Sequence, residues 1–213
     1  MDNKENVVAC YDKVAKVYYE KCNDALVHKR LDRMLLREFA HENRVKGQVL
    51  DLGCGPGQTT RFLHTIGLSN ITGIDISGQM IEIARHQNPC ISFEQGDMLS
   101  LQYADRSVGA AIAYYSIVHF NYNAVRQAFH EVYRVLDCGG DFLLSFHIGD
   151  DIIHLDQFLN EEVDVDFYLF KIEKIRDLLL EAGFKVIDLI RRYPYASEIK
   201  IERAYIWASV PAK

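Results

Sequence analysis

From Val49 to Gly57 the chain reads Val-Leu-Asp-Leu-Gly-Cys-Gly-Pro-Gly, a short apolar run that ends in three alternate glycines and feeds a helical pattern from Thr60 to Ile66. Glycines so placed let the backbone turn sharply and come close to a ligand, and in an open α/β sheet a strand-to-helix turn of this kind stands at the carboxyl edge where ligands bind. The same texture repeats afterwards. Ile71 to Ile76 reads as a strand, Gln79 to His86 as a helix, and Ile91 to Glu94, Val108 to Tyr114 and Asp141 to Ser145 as further strands. Between the last two, Val125, Ala128, Phe129, Val132, Val135 and Leu136 mark a helix, with Asn121 or Asn123 as its cap and Gly139-Gly140 after its end. This alternation predicts a mostly parallel sheet covered by helices on both faces. A helix from about Ile172 to Ala182 ends at Gly183, and the strands Phe184 to Ile190 and Ile201 to Val210 are joined by too few residues for a helical crossover, so they pair antiparallel. Ahead of the sheet, Val7, Tyr11, Val14, Ala15 and Tyr18, then Val27, Leu31, Met34 and Leu35, follow helical spacing.

The organisation predicted is one domain over residues 1–213, with 1–46 an N-terminal helical extension or lid and 47–213 the core. Thirty acidic against 24 basic residues give a charge of -6, a field that repels phosphate backbones and argues against nucleic acid as a partner. The polar start predicts no secretory leader, and the nearly apolar run Val108 to Phe120 is shorter than the ~20 residues that cross a bilayer, so no membrane partner is expected. Five scattered cysteines without a Cys-x-x-Cys pair fit reduced thiols in a cytoplasmic protein and no structural metal site. Monomer and homodimer both remain open.

Asp75 ends the second strand, where an acidic side chain can accept hydrogen bonds from both hydroxyls of a ribose. Two features depart from the dinucleotide-binding pattern. Gln58 stands where its third glycine would be, and Asp51 puts a carboxylate just before the turn. A pyrophosphate would be repelled there, whereas a cofactor carrying an ammonium and a sulfonium would be attracted.

With Gly73-Ile74-Asp75-Ile76-Ser77 after it, the glycine run resembles the first two motifs of class I S-adenosylmethionine-dependent methyltransferases of the small-molecule type. Gly96-Asp97-Met98 is similar to the acidic segment after their third strand, and Ala113 to His119 to the segment after their fourth, beside the reacting sulfur. Glu131 to Gly140 resembles their next helix and turn, although Asp-Cys-Gly-Gly replaces the usual Lys-Pro-Gly-Gly-like turn. The resemblance implies a Rossmann-like, open, mostly parallel seven-stranded α/β sheet with an antiparallel C-terminal β-hairpin. It implies S-adenosyl-L-methionine as cofactor and methyl transfer to oxygen, nitrogen or carbon of a small molecule. It also implies that Asp51, Gly53 and Gly55 surround the methionine part, that Asp75 binds ribose, and that Ile76 and Met98 flank adenine beside Asp97, with Cys54 and Met80 among the cofactor-binding residues. Plain core packing is the alternative for Ile76 and Met98, and a small turn residue for Cys54. Tyr114, Tyr115 and Ser116 border the same pocket, and strand alternation predicts that only one of the two tyrosines faces it.

Methyl transfer from a sulfonium asks the protein mainly to align two reactants in a dry pocket, with a base where the acceptor must lose a proton. His147, after the fifth strand, and His119, after the fourth, are the base candidates; a capping or packing role at the following helix is the alternative for His119. Tyr11 and Tyr18 on the first helix are candidate lid or substrate contacts, or simply a cover for the sheet. Arg203 is a candidate positive charge near the lid, with a surface ion pair as the alternative. His154 reads as part of a solvated loop. The stretch between Arg134 and Lys171 holds nine acidic residues and no Lys or Arg, which predicts either a solvated acidic loop or a lid favouring a neutral or cationic acceptor. The rival functions are a nicotinamide-dependent oxidoreductase and a non-catalytic module that binds the methyl donor.

Overall fold

The structure, a computed structural model, describes residues 4–212. Helices α1 (Lys4–Cys22) and α2 (Arg30–Asn43) flank a 3-10 turn at Ala25–His28 and precede the sheet. There follow β1 (Val49–Leu52), α3 (Gln58–Thr65), β2 (Ile71–Asp75), α4 (Gly78–Gln87), β3 (Ser92–Gln95), β4 (Val108–Tyr114), α5 (Tyr122–Val135) and β5 (Leu136–His147). The chain closes with β6 (Ile152–Phe158), β7 (Glu161–Tyr168), α6 (Ile172–Ala182), β8 (Lys185–Arg192) and β9 (Arg203–Ser209).

Seven strands form one sheet in the order β3-β2-β1-β4-β5-β9-β8, with β9 alone running antiparallel to its neighbours. All four residues of β1 are buried because helices cover both faces. Alternation along the strands sorts the core into two layers. Leu50, Leu52, Ala111, Phe142 and Leu144 pack with α5 and α6, whereas Val49, Ala110, Ile112 and Leu143 pack with Leu36 and Phe39 of α2 and Leu63 of α3. Strand order reverses between β1 and β4, so the connections leaving their carboxyl ends diverge to opposite sides and leave a crevice. Helix α1 lies across that edge, against α4 and β7.

Two segments differ from expectation. The acidic stretch after β5 is a β-hairpin, β6 paired antiparallel with β7, rather than a loop. Leu159 and Asn160, both at positive φ, make its two-residue turn, a conformation that a Leu-Asn pair does not advertise. Strand β5 begins at Leu136, directly after α5, pairs with Val108, and resumes at Asp141 opposite Ala110 after an irregularity. Gly139, at φ +73°, lies inside that irregularity rather than in a turn ahead of the strand.

Candidate active site at the carboxyl edge of the sheet

A cavity of about 990 Å³ opens over the crevice between β1 and β4 and is roofed by α1 and β7. Its floor is the glycine turn. Gly53 takes φ +71°, and a Cβ there would stand 2.3 Å from Ser116 Cβ, so the two connections leaving β1 and β4 touch only because residue 53 has no side chain. Gly57, also in the left-handed region, caps α3 and meets Phe93.

Asp51, Gly53, Cys54 and Gly55 border the cavity from β1 and its turn; Asp75, Ile76 and Met80 border it from β2 and α4, and Asp97 and Met98 from the segment after β3. Asp75 accepts hydrogen bonds from Gly55 N (2.8 Å, at Oδ2) and Ser77 N (2.9 Å, at Oδ1), which ties the glycine turn to the start of α4. Asp51, 1% exposed, accepts from Thr60 Oγ1 at 2.6 Å. Burial pushes its carboxyl up to about 7, even though the Thr60 hydrogen bond works in the opposite direction. Burial raises Asp75 as well. Burial also drives the Cys54 thiol well above its usual range, leaving it a packed, unreactive group. Asp97 accepts from Leu99 N (2.9 Å) and pairs with Lys4 Nζ at 2.6 Å, which joins it to α1.

Tyr114, Tyr115 and Ser116 all line the cavity, which corrects the expectation that one tyrosine would face away. Tyr115 sits at φ +58°, and this left-handed residue breaks the strand alternation, so both rings lie on one side, 5.3 Å apart edge to face. The Ser116 Oγ, Tyr114 OH and Gln58 Oε1 atoms are buried with no hydrogen-bond partner among the described residues, and all three residues border the cavity. Orphaned polar atoms around one concave space call for a polar ligand.

His119 does not cap α5. Asn121 does, accepting from Asn123 N and Ala124 N. His119 Nδ1–H donates to Asp166 O (2.8 Å), so Nε2 accepts from Tyr11 OH (2.8 Å), and burial pulls the imidazole down to about 4. His147 borders the cavity beside Tyr115, rings 5.3 Å apart, and neither of its ring nitrogens has a hydrogen-bond partner among the described residues. Burial, then the charges of Arg203 and Lys29, bring it to about 4 as well. Tyr11 and Tyr18 pack edge to face with each other and against Phe158 of the hairpin. Arg203 also lines the cavity and is 3% exposed, so it is no surface ion pair. The 17 residues singled out in the sequence thus border one space.

Several residues that build the site carried no motif. Asp12 Oδ1 accepts from Ser77 Oγ (2.6 Å) and Gln79 N (3.1 Å), placing a carboxylate at the N-terminus of α4 and docking α1 on the core. Asp32 is fully buried under Tyr115, accepting from Tyr115 OH (3.2 Å), Tyr205 OH (3.0 Å) and Arg192 Nη2 (3.4 Å). Its signal was present, since Asp32, Leu36, Phe39 and Asn43 share one helical face and all four are buried. His154 lies exposed on β6 among Asp156, Asp164 and Asp166. Among the described residues no group of three His, Cys, Asp or Glu is arranged to hold a metal ion, and no helix is long and apolar enough to cross a membrane.

The family model for a methyltransferase domain matches residues 49–140. An O-methyltransferase of Pyrenophora dematioidea is 32% identical over 75% of this chain and 62% of its own length. An O-methyltransferase of Aspergillus nomiae is 31% identical over 72% of each chain. The chain spans about half the length of others among the curated relatives it matches. The fold is shared with the magnesium protoporphyrin IX methyltransferase of Synechocystis, solved with bound SAM, at a TM-score of 0.74, 16% identity, and coverage of 99% of this chain and 98% of that one.

Proposed function

This chain belongs to the S-adenosylmethionine-dependent methyltransferase family, and on that premise we propose that it transfers a methyl group from S-adenosylmethionine to a small-molecule acceptor. Three carboxyl groups at or beyond the tips of β1, β2 and β3, set around bare glycine backbone in one cavity, carry this reading. Each Asp75 oxygen keeps a lone pair after its backbone bond, which suits the two hydroxyls of a ribose. Ile76, Met80 and Met98 offer apolar faces to adenine beside Asp97. Asp51 and the glycine turn suit the amino-acid part, and the orphaned Ser116, Tyr114 and Gln58 atoms offer further hydrogen bonds. When bound, S-adenosylmethionine supplies a methyl group on a positively charged sulfur.

What remains for the chain is alignment, exclusion of water, and proton removal where the acceptor requires it. Helix α1, with Tyr11 and Tyr18 over the opening, acts as a lid fastened by Asp12 and Lys4. His147 is neutral at physiological pH, with ring nitrogens that make no bond to the described chain, and serves as the base. His119 has its basic nitrogen occupied by Tyr11 and holds that phenol in place. Replacing His147 with Gln is expected to lower kcat on a hydroxyl acceptor by about 10²- to 10⁴-fold, with binding of S-adenosylhomocysteine unchanged. A kcat that stays within about two-fold would remove the base role.

Calorimetry with S-adenosylhomocysteine and NAD separates the methyltransferase from an oxidoreductase, and transfer from methyl-labelled donor into a metabolite extract separates it from a binding module. The carboxyl at residue 51 adds a pH signature. Below about 7 it is protonated, and the cationic cofactor favours its ionised form. Affinity for S-adenosylmethionine is therefore expected to rise between pH 6 and 8 by up to about ten-fold per unit below 7, to level off above, and to lose this slope in Asp51→Asn. A flat profile in the unmodified chain would place the cofactor away from Asp51.

A further inference from the structure

The geometry points to a carboxylate-binding subsite for the methyl acceptor, formed by Lys29 and Arg203 at the β5–β9 end of the cavity, and this rests on the methyltransferase reading above. Arg203 opens β9, directly opposite His147 of β5 in the register of the two strands. Its Nη1 donates to the carbonyls of Ile199 and Ile201, which fix the side chain. Its Nε is enclosed and faces Glu198 Oε2 at 3.6 Å, whereas Nη2 makes no hydrogen bond to the described residues. A guanidinium fixed at a cavity wall with Nη2 left to donate, beside the Lys29 ammonium, suits a carboxylate that accepts one hydrogen bond from each. Lys29 lines the same cavity, with Nζ 5.0 Å from the centre of the Tyr115 ring and 3.8 Å from Glu198 Oε1.

The charges here do not cancel. Lys29, Arg192 and Arg203 face two carboxylates, Asp32 and Glu198. Burial opposes ionisation of Glu198, but the Arg192 hydrogen bonds outweigh it and hold that carboxyl at about 2, so both hydrogen-bonding partners stay charged and the surplus is positive. His147, at the end of β5, feels it: Arg203 and Lys29 are the leading charges that disfavour its protonation. The acidic hairpin lines the opposite wall, where Asp164 bonds Asn6 of α1 and Asp166 bonds His154, and neither pairs with Lys29, Arg192 or Arg203. The surplus therefore favours an anionic acceptor group, contrary to what the acidic stretch alone suggested.

Position separates this end from the cofactor seat. Strand β9 lies three places from β1, about 14 Å across the sheet at ~4.8 Å per place. Asp75 and Asp97 lie on the other side of β1, so Tyr115, Ser116 and His147 stand between the nucleoside seat and the two cations.

The test uses the full chain, saturated with S-adenosylhomocysteine, and titrates benzoate, 4-phenylbutanoate and octanoate against their primary amides. Carboxylates are expected to bind at least about ten-fold more tightly than the matching amides, and to raise the titration midpoint of the His147 imidazole. The preference is expected to fall to within about two-fold in Lys29→Met, and in Arg203→Met where that variant folds. No preference in the unmodified chain, or one that survives Lys29→Met, overturns the proposal. If Lys29→Met weakens S-adenosylhomocysteine yet leaves 5′-methylthioadenosine and the carboxylate probes untouched, Lys29 serves the cofactor's own carboxylate and the proposal also fails. Absence of S-adenosylhomocysteine binding, with carboxylate preference intact, would instead sink the methyltransferase reading and leave the anion subsite standing.

Discussion

Asp75→Ala is expected to weaken S-adenosylhomocysteine by about 100-fold or more, since two hydrogen bonds to an ionised acceptor are worth about 3 kcal/mol or more together. The carboxylate does two things at once. It bonds Gly55 N and Ser77 N, holding the glycine turn against the start of α4, and it presents its remaining lone pairs to the cavity. Asp75→Asn retains one acceptor oxygen and should fall between the two. Calorimetry on the three proteins, with circular dichroism to confirm that each is folded, measures the loss. A change below about five-fold in Asp75→Ala would mean that the ribose lies elsewhere.

Asp32→Ala is expected to cost about 3–5 kcal/mol of folding stability, the usual penalty for removing one member of a buried ionic network. Two phenols and the Arg192 guanidinium converge on this carboxylate, with no solvent to replace it. Arg192 would keep Glu198, at 2.7 Å, and its bonds to the Tyr205 and Tyr115 hydroxyls, at 2.9 and 3.5 Å, but the two phenols, still paired at 2.7 Å, would lose the carboxylate that accepts their protons. Tyr115 is also the left-handed residue at the end of β4, held by bonds from its N to Ser145 O and Oγ. Its conformation costs on the order of 1–2 kcal/mol and persists because the neighbours over-determine it. Loosening its phenol should therefore disturb the cavity wall as well as the core. Urea unfolding of the purified protein gives the stability change, and a loss under about 1 kcal/mol would show that the tyrosines find other partners.

Much of the site was legible because its residues are tied to strand ends. Asp51 and Asp75 close apolar runs, glycines follow the first, and a parallel sheet brings such ends to one edge. Asp97, Met98 and His119 follow from the same rule applied to β3 and β4. The cationic end did not follow from it. Lys29 sits in a polar stretch between helices, Arg192 ends an edge strand and Glu198 lies in a connection, so no local pattern links them. Burial of Arg203 depends on the Ile199–Ile201 segment folding back over its guanidinium.

By itself the sequence determined the order of the seven sheet strands and their helices, the parallel sheet with its reversed last pair, and the gathering of carboxyl groups around the glycine turn. Periodicity and glycine placement act over a few residues, and strand direction then follows from connection length. Only the tertiary structure decided the charge of the far end of the cavity, the hairpin roof, and which face Tyr115 presents. The cationic end and the Tyr115 wall rest on contacts between residues 83 to 173 positions apart, Tyr115 with Asp32 and Asp32 with Arg192 and Tyr205. The free energy of a buried charge depends on the partners that surround it in space, and chain order does not specify them.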